Sequence, residues 1–327
     1  MDVREISSLQ RRILKTLLMN GRESFTNIAK TCGVTKSTIW KNYREMLRSG
    51  VITGATIQMN YRSFEYKIVT ELLVTIHPDQ SHNVLKCIEK MEGIYCAVST
   101  ATNSVLSVIA VLRDFSELNN LKDAIRTLPS VQDIRTSVWT NIRTMRENLS
   151  LLSESESVTR SETGKWQPMK DRTSDCQIDV LDLEIVEKLS EDGRKPFRAI
   201  AKEIGTSTFT VARRYARLAR SHTIRTIIQI DPKKIGYHSE AIFYMTVTSQ
   251  TSHSEIVEAF SLIPDVVVIL QTTGRYDFQV GVLVRDIEHL LSVQREISKI
   301  RCITSLNVEV YALDFAWPNP REYISTF

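Results

Sequence analysis

Two stretches of this sequence combine hydroxyl side chains with closely spaced basic side chains. The first runs from Thr35 to Arg48, and the second runs from Ser207 to Arg220. The residues from Ser207 to Arg225 include five arginines and no acidic residue, which argues against a merely solvated surface. Arginine binds a guanine edge or a phosphate through two parallel hydrogen bonds, and lysine binds phosphate as a point charge. Both stretches therefore predict contacts with a polyanion, of which double-stranded DNA is the best match.

The candidate DNA-contacting residues lie at the start of each stretch and at its basic positions. They are Thr35, Lys36, Ser37, Thr38, Lys41, Arg44 and Arg48 in the first, and Ser207, Thr208, Thr210, Arg213, Arg214, Arg217 and Arg220 in the second. Hydroxyl-rich starts suit a helix whose N-terminal part enters the major groove. Ile39 and Tyr43, like Val211 and Tyr215, lie four residues apart and are expected to face a core. The alternative is a solvated basic face on a structural helix, or a helix-turn-helix that docks only on protein.

The two stretches correspond to each other through an internal repeat. When the sequence is moved along itself by 172 positions, about 14 of the 40 residues from Ile13 to Ile52 meet an identical residue. The identical pairs include Gly21 with Gly193, Arg22 with Arg194, Phe25 with Phe197, Ile28 with Ile200, Ala29 with Ala201 and Gly33 with Gly205. A period of domain size predicts a tandem duplication, in contrast to the short repeats of a solenoid.

The copies differ at positions that are expected to face DNA. The differing residues are Lys36, Ser37 and Trp40 in the first copy and Thr208, Phe209 and Ala212 in the second. Because side chains at such positions read base edges, we hypothesise that the chain recognises two unlike half-sites.

Each copy opens with patterns typical of three short helices and a β segment. Apolar residues recur every four positions at Leu9, Ile13 and Leu17 and at Leu181, Ile185 and Leu189. This period predicts one apolar face on the first helix of each copy. Thr35 and Ser207 are good N-caps for a third helix. We expect the β-rich residues 52–60 and 224–231 to form the hairpin of a winged helix-turn-helix.

The remainder of each copy alternates strand and helix patterns in the order β-α-β-β-α-β. This is the ferredoxin-like arrangement, so the predicted fold class is α+β, with two repeats of a winged helix-turn-helix followed by a ferredoxin-like sensor domain. The expected boundaries are 1–60 and 61–145 in the first repeat, 146–177 for a flexible linker, and 178–231 and 232–327 in the second, with a C-terminal tail. The tail residues from Trp317 to Pro320 are expected either to dock on a neighbouring molecule or to lie on the surface.

The ordered motifs resemble those of the Lrp/AsnC family of transcriptional regulators. In the second copy, Leu189–Arg194 resembles the family's L-x-x-D-G-R turn, and Thr273–Asp277 resembles its T-G-x-x-D hairpin. The first copy keeps Asn20-Gly21-Arg22 and Gly50-Val51-Ile52. The resemblance implies a DNA-binding helix-turn-helix coupled to a sensor that binds an amino acid or a related small molecule. Two copies in one chain imply an intramolecular pseudo-dimer, and a homo-oligomer through the sensor sheets is expected.

The resemblance also implies an effector-binding loop in the second copy. Its residues are Thr273, Gly274, Arg275, Tyr276 and Asp277. Glycine allows the backbone to approach a ligand closely, and Asp277 is expected to receive an amino group. The alternative is an ordinary tight turn, in which aspartate is a common turn former. The first copy has Thr102, Asn103, Ser104 and Val105 here, so an effector role is not expected for it.

The composition indicates neither a catalytic site nor a membrane segment. Five cysteines and six histidines are scattered, so we predict no catalytic residues, no metal site and no cofactor. No apolar run reaches the length of a membrane span, and a signal peptide is not evident, which predicts a cytoplasmic, nucleoid-associated protein. Two other functions stay open. One is a tetrapyrrole enzyme resembling the siroheme decarboxylases, which share this architecture, and the other is an oligomerisation partner that does not bind DNA.

Overall fold

The first part of the chain forms three helices whose starts are fixed by side-chain caps. The computed structural model describes residues 6–153, 177–248, 251–313, 316–318 and 324–325. It opens with Ser8–Met19 (α1), Phe25–Cys32 (α2), Lys36–Arg48 (α3) and the strand Ile52–Asn60 (β1). The hydroxyl of Thr35 accepts a hydrogen bond from the amide of Thr38, so the predicted N-cap of the third helix is confirmed.

A β-α-β-β-α-β unit follows, as its strand and helix patterns predict. Its elements are Ile68–Ile76 (β2), Ser81–Ile88 (α4), Ile94–Ser99 (β3), Val105–Leu112 (β4), Phe115–Arg126 (α5) and Val131–Thr144 (β5). One apolar face of these strands packs beneath α4 and α5, with Leu72, Val108 and Leu121 in its core. We call residues 6–153 the first half and the described residues from 177 onward the second half.

The second half contains the same succession of elements and adds one short strand at its end. They are Val180–Glu191 (α6), Phe197–Glu203 (α7), Thr208–Arg220 (α8), Ile224–Ile230 (β6), Ser239–Val247 (β7), His253–Ser261 (α9), Val266–Gly274 (β8), Phe278–Val284 (β9), Ile287–Ser298 (α10), Ile303–Ala312 (β10) and Ile324–Ser325 (β11). Ser207 accepts a hydrogen bond from the amide of Thr210, so the N-cap of α8 matches that of α3. The core beneath α9 and α10 includes Phe243, Phe260 and Val293.

Within the described residues, the strand after each helix-turn-helix does not fold back on itself. Instead, β1 pairs antiparallel with β6 of the other half, from Ile52 with Ile230 to Met59 with Ile224. Ile57 of β1 packs in the core of the second helix-turn-helix, and Ile230 of β6 packs in that of the first. The prediction of a hairpin within each copy is wrong, because each strand completes the wing and the core of the other half.

A single antiparallel sheet joins the two sensor units. Its strand order is β10-β7-β9-β8-β5-β2-β4-β3, and the junction between the halves is the pair β5 and β8. Trp139 of β5 packs with Val268 and Leu270 of β8 in a core that both halves share. The sensor units are therefore held together by backbone hydrogen bonds and by an apolar seam.

The beginning of the predicted flexible linker is ordered. Residues Arg146–Asn148 and Ser150–Leu152 form short 3-10 turns, and Leu149 and Leu152 are buried in the core that contains α1. The prediction of flexibility is thus wrong for residues 146–153, because these leucines bind α1 to the second sensor unit. The rest of the linker as far as residue 176 lies outside the described residues.

The C-terminal tail packs on its own chain at one tryptophan. Trp317 is fully buried, and its backbone pairs with Ile230 at the end of β6. Neither a surface position nor docking on a neighbour therefore holds for Trp317, whose ring fills a core that the sequence did not reveal. Asn319 and Pro320 lie outside the described residues.

Candidate functional site

The third helix of the first half presents a basic face to solvent. We call four of its exposed residues, Ser37, Lys41, Arg44 and Arg48, the first stripe; Lys36, Trp40 and Leu47 are exposed as well. The stripe residues recur every three or four positions, so they lie on one face of α3, opposite the fully buried Ile39. At the helix start, Thr35 Oγ1 lies 2.8 Å from Ser37 Oγ and 2.9 Å from Thr38 Oγ1. The helix therefore offers hydroxyls at its N-terminus and cations along its length.

The corresponding face of α8 carries a different chemistry. We call its exposed residues Phe209, Arg213 and Arg220 the second stripe; Arg217 on the same face and Thr208 at the helix start are exposed as well. The guanidinium carbon of Arg213 lies 5.9 Å from the ring centroid of Phe209. Phe209 is 74% exposed, and Trp40 on α3 is 48% exposed. Both positions were expected to face DNA and to differ between the halves, although neither residue is among the candidate DNA-contacting residues.

Two of the predicted DNA-contacting arginines form ion pairs within the second helix-turn-helix, although Arg217 keeps 43% of its side chain exposed. Arg214 Nη1 lies 2.7 Å from Asp179 Oδ2 and 3.0 Å from Asp182 Oδ1, and Arg217 also bonds Asp182. The hydrogen bond from Arg214 lowers the pKa of Asp179. Asp182 is fully buried, so the arginines neutralise a carboxylate that would otherwise be costly to bury. In the first half the position of Asp182 is held by Gln10, which cannot pair with arginine in this way.

An arginine from the first half crosses into the second helix-turn-helix. Arg22 Nε donates to the carbonyl oxygen of Gly193 at 2.8 Å, and its Nη2 donates to that of Lys195 at 2.7 Å. The guanidinium carbon lies 4.3 Å from the ring centroid of Phe197 and 5.1 Å from that of Tyr215. A planar guanidinium stacks well on aromatic faces, so this arginine is bound both by hydrogen bonds and by two rings.

The second half returns the same contact. Arg194 donates to the carbonyl oxygen of Gly21, and its guanidinium carbon lies 4.9 Å from the ring of Phe25 and 5.3 Å from that of Tyr43. All of these residue types recur at the 172-residue offset. We call this reciprocal arrangement of Arg22, Arg194 and the four rings the arginine lock. It fixes one helix-turn-helix against the other.

Two glycines bring the halves close enough for the lock to form. The amide of Gly21 donates to Thr226 O and that of Gly193 to Ala55 O, each at 2.8 Å. A Cβ atom on Gly21 would lie 2.7 Å from the backbone of Ile227. One on Gly193 would lie 2.8 Å from Thr56 C and nearer still to its carbonyl oxygen. A side chain at either glycine would therefore collide with the strand of the other half.

The predicted effector loop lies at the seam between β5 and β8. Gly274 has a φ of 129° and pairs with Ser137, and a Cβ atom here would lie 2.6 Å from Thr136 O. Asp277 Oδ2 accepts a hydrogen bond from the amide of Val247 at 2.8 Å. The close approach of β5 thus accounts for glycine at position 274. The Asp277 carboxylate already accepts a hydrogen bond from a backbone amide of its own chain.

The other loop residues divide between the core and the surface. Thr273 and Arg275 are exposed, whereas Tyr276 is buried with its ring 5.2 Å from that of Tyr244. Within the ranges that the structure describes, no three His, Cys, Asp or Glu residues are grouped as metal ligands. The loop therefore offers a mixed polar and aromatic surface at the boundary between the halves.

Family models and relatives match this architecture. Residues 6–53 match a winged helix-turn-helix DNA-binding domain, residues 178–219 an AsnC-type helix-turn-helix domain, and residues 240–312 an Lrp/AsnC ligand binding domain. The HTH-type transcriptional regulator FL11 of Pyrococcus horikoshii is 31% identical over 114 residues, which are 35% of this chain and 75% of FL11. The chain belongs to the Lrp/AsnC family. The HTH-type transcriptional regulator Ptr1 of Methanocaldococcus jannaschii is 32% identical over 114 residues, which are 35% of this chain and 76% of Ptr1.

This Lrp/AsnC member is accordingly a DNA-binding transcriptional regulator with a ligand-binding domain. Its fold is also similar to that of the siroheme decarboxylase NirDL, with a TM-score of 0.59 and 12% identity over 98% of this chain and 93% of NirDL. At this identity the similarity concerns the fold alone. None of the helices in the described part of the chain is both long and apolar enough to span a membrane.

Proposed function

We propose that α3 and α8 enter the major groove of duplex DNA at two unlike half-sites, as an intramolecular pseudo-dimer. In this proposal the helix-turn-helix domains comprise residues 1–60 and 178–231, which exchange their wing strands, and the sensor domains comprise residues 61–145 and 232–327. The arginine lock is the observation that carries this proposal. It joins the two helix-turn-helix domains, whose exposed third helices carry different side chains, into one DNA-binding unit. We further propose that these pseudo-dimeric chains associate through their sensor sheets and act at the nucleoid in the cytoplasm.

The contacts fall into three groups in this proposal. Lys36, Lys41, Arg44, Arg48, Arg213 and Arg220 bind phosphates and base edges, and the hydroxyls of Thr35, Ser37, Thr38, Ser207, Thr208 and Thr210 approach the DNA backbone. Arg214 and Arg217 act indirectly, because their bonds to Asp182 hold α8 against α6. The exposed cations make the affinity depend on salt, since each bound phosphate releases counterions.

Arg213→Ala is expected to weaken DNA binding by about tenfold and to reduce the slope of log affinity against log salt by about one. Arg214→Ala serves as the matched control, because Arg214 is next to Arg213 in the sequence but its guanidinium is bound to Asp179 and Asp182. This control should lower the melting temperature and leave the salt slope nearly unchanged, because it removes one of the cations that neutralise the buried carboxylate of Asp182. Fluorescence-anisotropy titrations at several salt concentrations measure the first effect, and thermal melts the second. An Arg213→Ala variant with unaltered affinity and slope would remove α8 from the interface.

We also propose that an amino acid or a related small molecule binds at the loop from Thr273 to Asp277. The support is the position of this loop, which spans from the second sensor unit to β5 of the first. A ligand at the seam would contact both halves and would therefore favour one arrangement of the two helix-turn-helix domains over others. We propose in addition that the protein has no enzymatic activity, so that the second sensor domain binds its ligand without converting it.

A ligand panel tests the effector proposal and its enzymatic alternative together. We expect calorimetric titration with the common amino acids to give heat for at least one, and that ligand should raise the melting temperature by mass action. Arg275→Ala is expected to weaken the binding, because Arg275 is exposed and its removal leaves the loop backbone intact. A tetrapyrrole in the panel should give no shift of its absorbance bands. If the tetrapyrrole alone bound, the resemblance to siroheme decarboxylase would extend beyond the fold.

A further inference from the structure

One side chain on the proposed DNA-reading face is apolar and unusually exposed. Phe209 is the second residue of α8, and 74% of it is accessible to solvent. It stands between Thr208 and Thr210 at the end of the helix that enters the groove, and the guanidinium of Arg213 lies 5.9 Å from its ring one turn further on. An aromatic ring in this position is anchored on one side by a cation and is open on the other.

The major groove offers one apolar group to such a ring. Of the four bases, thymine alone carries a methyl group at its exposed edge, and phenylalanine is among the side chains that contact it. The neighbouring cation favours the same placement, because Arg213 can bind a phosphate or guanine while its stem packs against the ring. Polar base edges give a phenyl ring no hydrogen bond.

We propose that Phe209 reads a thymine methyl group in the half-site that α8 contacts. This inference rests on the proposed binding of α8 to the major groove, and it adds a specificity-determining residue to that interface. The ring covers the methyl group and removes both from water, so a base without that methyl is bound less tightly.

The repeat supplies an internal contrast for this residue. The matching position in the first half is Ser37, whose hydroxyl lies 2.8 Å from that of Thr35. The exposed aromatic residue of α3 is Trp40, three positions later, and its ring lies 5.6 Å from that of Phe25 and 6.1 Å from that of Tyr43. The apolar contact is therefore specific to the second stripe, and the half-site read by α3 lacks a thymine contact from position 37.

Base analogues that lack the methyl group test the inference. The full-length protein first selects its tightest duplexes from a random pool, and each thymine of the selected site is then replaced by deoxyuridine. We expect one replacement in one half-site to weaken binding about three- to fivefold, which is the effect of one buried methyl group. Phe209→Ala should bind the thymine and uracil duplexes equally, whereas Ser37→Ala should keep the discrimination of the wild type.

A gain of discrimination provides the complementary test. In the Ser37→Phe variant, replacement of thymine by deoxyuridine should also weaken binding at a second position, in the half-site that α3 contacts. Selection of no duplex by the wild type would overturn the proposed function itself. Selection of duplexes with no uracil effect, or an equal uracil effect in Phe209→Ala, would overturn the thymine contact while leaving DNA binding in place. Loss of a protein partner from Phe209→Ala with unaltered DNA affinity would assign the ring to protein docking and also overturn it.

Discussion

Replacement of Gly193 by alanine is expected to loosen the second helix-turn-helix from the first and to destabilise the protein by about 1–3 kcal/mol. The new methyl group would meet the backbone of Thr56, and this strand cannot move aside cheaply because Thr56 is paired with Ile227 of β6. The turn must then retreat and carry Arg194 out of its contacts with Phe25 and Tyr43. Urea denaturation followed by tryptophan fluorescence measures the loss, and anisotropy measures the accompanying fall in affinity for a two-half-site duplex.

Gly54→Ala is the matched control for this prediction. Gly54 lies on the same strand as Thr56, but a Cβ atom there would have only Gln229 Oε1 nearby, at 3.6 Å. The control should therefore unfold at nearly the same urea concentration as the wild type. If Gly193→Ala did the same and bound DNA with unaltered affinity, the close approach of the two halves would not be needed for either property.

Asp265→Asn is expected to lower the stability by about 1–3 kcal/mol, because it breaks a buried hydrogen-bond network around a carboxylate. Asp265 is fully buried, and its carboxylate accepts hydrogen bonds from the hydroxyl of Tyr237 and from both the amide and the hydroxyl of Ser150. His289 Nε2 lies 3.3 Å from the same carboxylate. An asparagine would turn one acceptor into a donor that faces other donors. Thermal melts and hydrogen exchange of residues 146–153 would show the loss, with Asp123→Asn as an exposed control.

The same carboxylate predicts how stability depends on pH. Burial alone would raise the pKa of Asp265, but hydrogen bonds from His289, Tyr237 and Ser150 outweigh burial and lower it. A pKa lower in the folded than in the unfolded state stabilises the fold above the unfolded value of about 3.9, and this contribution is lost as the pH falls toward the folded value. The wild type should therefore lose stability below about pH 4 more steeply than Asp265→Asn does. Parallel acid-denaturation curves for the two proteins would contradict this role.

The sequence predicted the local elements because local residues specify them. Thr35 and Ser207 cap their helices through hydrogen bonds three residues away, and the strand patterns of the sensor units depend on alternation within each segment. The basic faces of α3 and α8 followed from the same periodicity.

The missed features depend on partners that are distant in the sequence. The pairing of β1 with β6 and the arginine lock join residues that are far apart in the chain, and no local pattern specifies such a partner. The ion pair between Arg214 and Asp182 was missed because the apolar periodicity of α6 does not show that Asp182 is buried against α8. The buried leucines at residues 149 and 152 were missed because they stand beside a long serine-rich segment whose composition outweighs them.

The exchanged strands also bear on how the protein is made. Ribosomes add about 5–20 residues per second, so the first half emerges on the order of ten seconds before the residues that complete its wing. During this interval β1 and the outer edge of β5 have no partner strand, and such edges readily pair with foreign chains. A ribosome-bound chaperone has this window in which to act. A message truncated after the first half would yield an aggregating fragment in place of a smaller working regulator.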